Sequence, residues 1–456
     1  MAKSHSLENQ QDEDTEILSQ SSKNPCHIAR LPDDLVIYIF STCVSSDSES
    51  RPSALRSPVV LGHVCRVWRR LTLATPLLWS TITIPSTYLN KAKFTLDAMA
   101  VKVFLSRSQE CPLTITMRYL NSRDKTPAMI EGTNMVIGEI LPHSNRWYSI
   151  TMAIPSECIP QLLPGLSSGL PSITTLLLHP TSTVDRVLPT TVSIDLSCSK
   201  LLKYLSVGLN AKILGENLTD LRRLVVRFSS LADTLFCLQN YPNVTNVHIT
   251  LYSLPDDQLD SSIETPACRL ASLEKLWITS GQDISTLLDR LYVPRLENLS
   301  IGSSFGVDSP KLLNFFKVSR PPLLTLNFSG VNISRHAFLQ ILQYLPSLTV
   351  LRCMDSHLSQ AVGDAFRNFA SPLCPRLVSI SLKCRMVDVR HGTSVIAQLV
   401  VHRWKAGRSG GNVKSIREVG LQTREEMDLV DKYPGIRLCR QEGLNVYIYK
   451  HGKEMW

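Results

Sequence analysis

The sequence predicts an α/β solenoid, irregular in its repeats, preceded by a small all-helical module. Three observations predict it. An apolar frame of the form L-x-x-L-x-L recurs ten times with first positions from 147 to 377, a mean step of about 26 residues, inside the ~20–29 residue range of stacked strand–helix units. The stretches between frames carry apolar residues at helical spacing. Residues 30–85 show the helical period alone. At 456 residues the chain is also too long for one ordinary core.

Residues 1–28 are rich in Gln, Ser, Asp and Glu. Such a segment buries too little to offset its ordering entropy, so a disordered acidic and polar tail is expected there. It has no apolar core to act as a signal peptide. Nowhere do ~18 uncharged apolar residues run together, which excludes a helical membrane span on sequence grounds. Twelve cysteines stand singly between Cys26 and Cys439, with no C-x-x-C pair. That usage fits reduced, buried thiols and a cytoplasmic or nuclear location. The net charge of +9 is diffuse; nucleic-acid binding would call for a clustered stripe.

Residues 29–85 form the helical module. Leu31-Pro-Asp-Asp-Leu35-Val-Ile-Tyr-Ile39-Phe40 has Pro near a helix start and two acids in the first turn, both favourable there. Leu31, Leu35 and Ile39 lie four apart on one face, widened by Phe40. The Ser-rich run 45–57 reads as a loop. Val60, Val64, Trp68 and Leu71 predict a second amphipathic helix, whose other side carries Arg66, Arg69 and Arg70, and which Pro76 ends. Leu77 to Ile84 reads as an apolar turn and a strand.

This order, Leu31-Pro32-x-x-Leu35-x-x-x-Ile39-Phe40, then Val64-Cys65-Arg66-x-Trp68-Arg69-Arg70-Leu71, then Pro76-x-Leu78-Trp79, resembles the F-box. The stretch from Ala74 to Ile84 is similar to the expanded F-box families of mushroom-type fungi. The resemblance covers roughly an eighth of the chain, and its loop at 44–58 is longer than the usual F-box connection, an insertion of small entropic cost. It implies a three-helix module that docks on the Skp-type linker subunit of an SCF ubiquitin ligase and, through it, a cullin. The docking positions it implies are Leu31, Pro32, Leu35, Ile39, Val64, Cys65 and Trp68. The alternative is that these side chains form only the module's own core; for Trp68 and Trp79 the two readings weigh equally. A module of this size buries little apolar surface alone, which suits a partner-dependent domain.

Residues 86–385 hold the repeats. Their frames start at Trp147, Ile173, Leu202, Leu221, Val244, Leu273, Leu296, Leu323, Leu348 and Leu377. Ser309-Pro310 opens one intervening helix and Ser334 caps another. Strand, loop and helix at this period resemble leucine-rich repeats, in which stacking joins the apolar sides into one core. The ladder position three residues past each frame is Asn only at Asn210; others include Thr181, Ser229, Gly281 and Arg385, hence an irregular array. Residues 386–456 form a C-terminal cap or tail, whose final Asn445-Val-Tyr-Ile-Tyr-Lys450 alternates like a strand.

Catalytic signals are sparse. Gly302-Ser-Ser304-Phe-Gly306 matches G-x-S-x-G after a strand and before a helix, with Asp355 and His391 formally available as partners. Gly and Ser are also common turn residues, and the preceding strand belongs to the repeat register. Cys374, Cys384, His391 and His402 are spaced too widely for an ordinary structural zinc site. No cofactor or metal is expected, and no enzyme.

The function these readings imply is a non-catalytic substrate adaptor of an SCF-type ligase, with the repeats binding a protein target. The alternative from outside ligases is a leucine-rich-repeat interaction scaffold, and a third, remoter reading is a serine hydrolase at Gly302–Gly306. In the L-x-x-L-x-L frame the x positions project from the strand face. That face is read as Lys203, Tyr204, Arg222, Arg223, His248, Glu274, Lys275, Trp277 and Arg352, with Lys203, Arg222 and Arg223 gathered into a basic patch suited to an acidic or phosphorylated target. Trp277 is either an exposed anchor or packs against its neighbouring repeat.

Overall fold

The computed structural model describes residues 27–46, 56–84, 91–118, 127–167, 170–180, 192–215, 218–228, 230–252, 267–354, 373–383, 392–408, 414–423 and 434–450. The tail 1–28 thus lies almost wholly outside the described residues, as do Asp355, Cys384 and His391. The chain divides into two compact units, one up to Trp147 and the other from Tyr148. The first unit therefore takes in 86–147, which the sequence reading joined to the repeats.

In the first unit, helix α1 (Asp33–Ser46) starts where the Pro32 carbonyl accepts the Leu35 and Val36 N–H groups, at 3.0 and 3.2 Å. Past Phe40, the Ser41, Thr42 and Ser45 hydroxyls donate to carbonyls one turn earlier, so they are satisfied within the helix. The single helix expected over 60–71 is two: α2 (Leu61–Val64) and α3 (Arg66–Ala74). Cys65 between them is extended, φ −155° and ψ 173°, and its Sγ accepts the Trp68 N–H at 3.4 Å. A thiol thus does the capping work usually left to Ser or Asp.

A turn at Pro76–Trp79 leads into strand β1 (Thr81–Ile84). Trp79 is buried, and its indole N–H donates to the Thr72 carbonyl at 2.8 Å. Strand β2 (Leu113–Arg118) pairs with β1 in parallel, Thr81 opposite Thr114. Parallel pairing needs a crossover, which is helix α4 (Lys91–Arg107). Helix α5 (Pro127–Ile140) packs on α4, where Gly132 admits the Phe94 ring; a Cβ there would stand 2.1 Å from Phe94 Cγ. Buried Arg146 donates to the Ser108 hydroxyl at 2.7 Å and the Cys111 carbonyl at 3.0 Å, fixing the end of α4.

The second unit is α/β with a long parallel sheet. Its strands are β3 (Trp147–Ile154), β4 (Thr175–Pro180), β5 (Val192–Asp195), β6 (Tyr204–Leu214), β7 (Arg223–Phe228), β8 (Asn246–Leu251), β9 (Cys268–Arg269), β10 (Lys275–Ser280), β11 (Leu291–Tyr292), β12 (Asn298–Ser303), β13 (Thr325–Ser329), β14 (Val350–Cys353), β15 (Ser379–Lys383), β16 (Glu418–Thr423) and β17 (Asn445–Lys450). Between them lie helices α6 (Ile159–Ser167), α7 (Leu231–Asn240), α8 (Ser285–Asp289), α9 (Ser309–Ser319), α10 (Arg335–Gln343), α11 (Gly392–Arg408) and α12 (Pro434–Gln441). The sheet runs β3-β4-β6-β7-β8-β10-β12-β13-β14-β15-β16-β17, with β5 beside β6, while β9 and β11 form a separate pair.

Every expected frame is a strand of this sheet, and the frames stack in register. Ile150, Leu176, Leu205, Leu224, Val247, Leu276, Leu299, Leu326, Leu351 and Ile380 are successive partners, and Val419 and Val446 continue the ladder. The tail expected as a cap thus contributes two more strands. A second ladder is polar. Each carbonyl at the second frame position accepts N–H groups of the next unit, as Lys203 accepts from Arg222 and Arg223 at 2.9 and 3.1 Å. Ser280 and Ser303, two residues past their frames, are register partners whose hydroxyls bond the Gln282 and Phe305 backbones. Ser334 caps α10 as expected, accepting the Ala337 N–H at 3.2 Å.

Candidate functional site

Two surfaces carry the residues singled out in the sequence, one on each unit. On α1 the apolar residues divide between two faces. Val36 and Phe40 are buried, at 4% and 0% exposure, while Leu31, Leu35 and Ile39 point outward, Leu35 at 51%. Phe40 therefore belongs to the core and does not widen the outer face. Pro32 is exposed beside Leu31. Val64 and Cys65 are exposed at the break between α2 and α3, Val64 at 60%. Trp68 is half-buried and meets Phe40 edge-on with centroids 4.8 Å apart, so part of its ring serves the core. Sequence reading missed Tyr38, Val67, Leu73 and Leu77, all exposed. The helical block thus carries several exposed apolar side chains besides those of the predicted set.

On the second unit, side chains alternate across each strand. The third, fifth and seventh frame positions share the sheet's outer face. Tyr204, Arg223, His248, Lys275, Trp277 and Arg352 occupy such positions. Lys203, Arg222 and Glu274 instead precede their strands by one residue. Arg222 donates to the Asn243 carbonyl at 3.2 Å. The expected patch of Lys203, Arg222 and Arg223 is thus divided, with Arg223 alone on the face, because alternation separates neighbours in sequence. Arg352 stands four strands from His248 along the sheet order, about 19 Å at the usual strand spacing, and does not join the group.

The residue that completes the group is Arg227, two positions beyond Val225 on the same face. Arg223 lays its guanidinium over the Tyr204 ring, 4.7 Å from the centroid, and Arg227 lies over Tyr252 at 5.9 Å. Between them His248 is the register partner of Val225 on one side and Trp277 on the other. Trp277 is half-buried, with His248 and Ser300 as its register partners. On the far side His179 bonds the Ser206 hydroxyl at 3.1 Å, in space that Gly208 leaves open; a Cβ on Gly208 would stand 2.6 Å from His179 Nδ1. Arg227 was legible in the two-residue period, since positions 223, 225 and 227 share a face. The six-residue frame stopped short of it.

The field here is positive. Burial and then Arg227 lower the His179 pKa; burial, Arg227 and Arg223 lower that of His248. Lost water and nearby cations both disfavour the imidazolium. Among the described residues no carboxylate forms an ion pair with Arg223 or Arg227. Glu274 and Glu297 each precede their strands, β10 and β12, by one residue.

The chain matches no family model and no curated protein.

The G-x-S-x-G stretch lacks the geometry of a nucleophile elbow. Ser304 is exposed after β12, and α9 begins only at Ser309, whereas an elbow turns straight from strand into helix. Ser303 is committed to the Phe305 backbone. Cys374 is buried with its thiol pushed up to about 12, chiefly by burial. Among the described residues no group of three His, Cys, Asp or Glu side chains is placed to hold a metal, and no helix is long and apolar enough to cross a membrane.

Proposed function

We propose that the chain is a substrate-recognition adaptor of an SCF-type ubiquitin ligase. In this reading the helical block docks on a Skp-type linker subunit, and a leucine-rich-repeat-like solenoid holds the target. The observation that carries it is the outward set Leu31, Leu35 and Ile39, kept off a core that Val36 and Phe40 already fill. These are the positions at which the F-box resemblance implies linker contact. Pro32 and Val64, exposed as well, belong to the same implied set.

Such an adaptor needs no nucleophile or base. Tethering a target beside the ubiquitin-charged enzyme raises its effective concentration and turns a rare encounter into an intramolecular one. Target specificity then rests on the sheet face, with Arg223, Arg227, His248 and Trp277 as its polar and aromatic contacts. Affinity purification of the tagged chain with mass spectrometry, with and without proteasome inhibition, tests this reading. A linker subunit and a cullin should copurify, and targets should accumulate when the proteasome is blocked. Recovery of other partners with no linker would leave a repeat scaffold outside any ligase.

A further inference from the structure

We infer that the outer face of β6–β10 is a docking surface for an acidic protein segment in extended conformation, gripped through its carboxylates by Arg223 and Arg227. This deepens the adaptor reading by giving the class of the target, and it rests on that reading only for the claim that the bound segment is a target.

Charge complementarity commits the surface to this occupant. Each guanidinium lies over an aromatic ring, Arg223 over Tyr204 at 4.7 Å and Arg227 over Tyr252 at 5.9 Å from the centroid. The planar guanidinium fork suits a carboxylate, which takes two parallel hydrogen bonds from it. Neither arginine is neutralised by a carboxylate among the described residues. Lys275 adds a cation beside them, and His179 and His248 add neutral imidazoles whose protonation the arginines oppose. Spacing selects the conformation. Arg223 and Arg227 are four residues apart on β7, which sets their Cα atoms about 13 Å apart at ~3.3 Å per strand residue, with their guanidinia leaning to opposite neighbours, Tyr204 and Tyr252. In an extended partner, acids four apart on one face match that distance. In a helix, acids four apart span only about 6 Å. Trp277, half-buried two strands from Arg223 and Arg227, offers an apolar neighbour for a side chain between the acids.

The test is direct binding to the purified full chain by fluorescence anisotropy. The ligand is a labelled synthetic peptide alternating Glu with Gly and carrying one Phe. Its controls are the Gln-for-Glu version, a phosphoserine-for-Glu version and a single-stranded oligonucleotide. The acidic peptide should bind, and the Gln version should not. R223Q and R227Q should each weaken binding about tenfold or more, as expected for a lost charged hydrogen-bond pair, while melting stays within a few degrees of the parent. R352Q, outside the group, should change nothing. Equal binding of the Gln peptide, indifference to both arginine variants, or clearly tighter binding of the phosphopeptide or the oligonucleotide would each overturn the inference. Linker copurification is read separately, so failure of the peptide leaves the adaptor reading standing and failure of the linker leaves the peptide result standing.

Discussion

Phe40 and Trp68 meet edge-on, 4.8 Å between ring centroids, and so join α1 to α3. Phe40 is wholly buried while Leu35 and Ile39 beside it are exposed. Core and outer face are thereby separable by mutation. Phe40→Ala should cost about 3–5 kcal/mol, the usual range for deleting a buried aromatic ring, and unfold the helical block. Leu35→Ala should leave thermal melting of the same block nearly unchanged. Differential scanning calorimetry of the two variants decides it; equal destabilisation would mean that the outward face is structural.

The break at Cys65 gives a second expectation. Its Sγ caps α3 by accepting the Trp68 N–H. Cys65→Ser should keep or improve the cap, and Cys65→Ala should cost about 0.5–2 kcal/mol. Denaturant melts of the two variants compare them directly. The exposed Arg70–Asp33 pair at 3.4 Å is a surface ion pair, so Arg70→Ala should change stability by less than about 1 kcal/mol.

Glycines in the sheet separate by backbone need. Gly330 has φ +70°, and a Cβ on it would stand 2.4 Å from the Ser303 carbonyl oxygen. Gly302, one strand earlier, would bring its Cβ no nearer than 3.9 Å to any atom. Gly330→Ala should destabilise the second unit by about 1–3 kcal/mol, and Gly302→Ala should stay within about 1 kcal/mol of the parent. Loss of stability at Gly302 equal to that at Gly330 would contradict the strand placement.

The two histidines give a pH dependence. Their folded pKa values lie below the ordinary 6.5 because of burial and the arginines of β7. In the free chain they resist protonation, so as pH falls below 6.5 the unfolded state binds more protons and stability declines. A bound carboxylate reverses the local field and favours the imidazolium. Affinity for the acidic peptide should therefore rise as pH falls from neutrality, until the peptide's own carboxylates protonate near ~4. The charged groups on the strands flanking His248 are Arg223, Arg227 and Lys275, all cationic. Replacing both His179 and His248 with Gln should flatten the profile; a slope that survives in the double variant would assign it elsewhere.

Much of the fold was legible because two periods rarely coincide by accident. All ten frames became stacked strands, since Leu and Ile at the fourth position must find the same neighbour in every unit. Asn445–Lys450 was read as a strand, but the continuation of the ladder through Val419 was missed, although Ile416, Val419 and Leu421 repeat the frame with Ile in the leading place, as at Ile173. The kink at Cys65 was hidden because 60–71 keeps a helical period on both sides of the break. At the candidate site, Leu31, Leu35 and Ile39 were placed on one face correctly. Grouping Phe40 with them failed, since adjacent residues on a helix lie about 100° apart and the core lay on Phe40's side. Lys203 and Arg222 were misplaced for a similar reason, as strand parity divides neighbours that are charged alike.

Calorimetric titration of the purified chain with a Skp-type linker protein tests the central claim most directly. The parent chain should bind, and the double change Leu31→Ala with Pro32→Ala should weaken binding by about 2 kcal/mol or more, roughly thirtyfold, as removal of an interface hot spot does, with the melting of the second unit unchanged. No binding by the parent chain, or full-strength binding by the double variant, would contradict it.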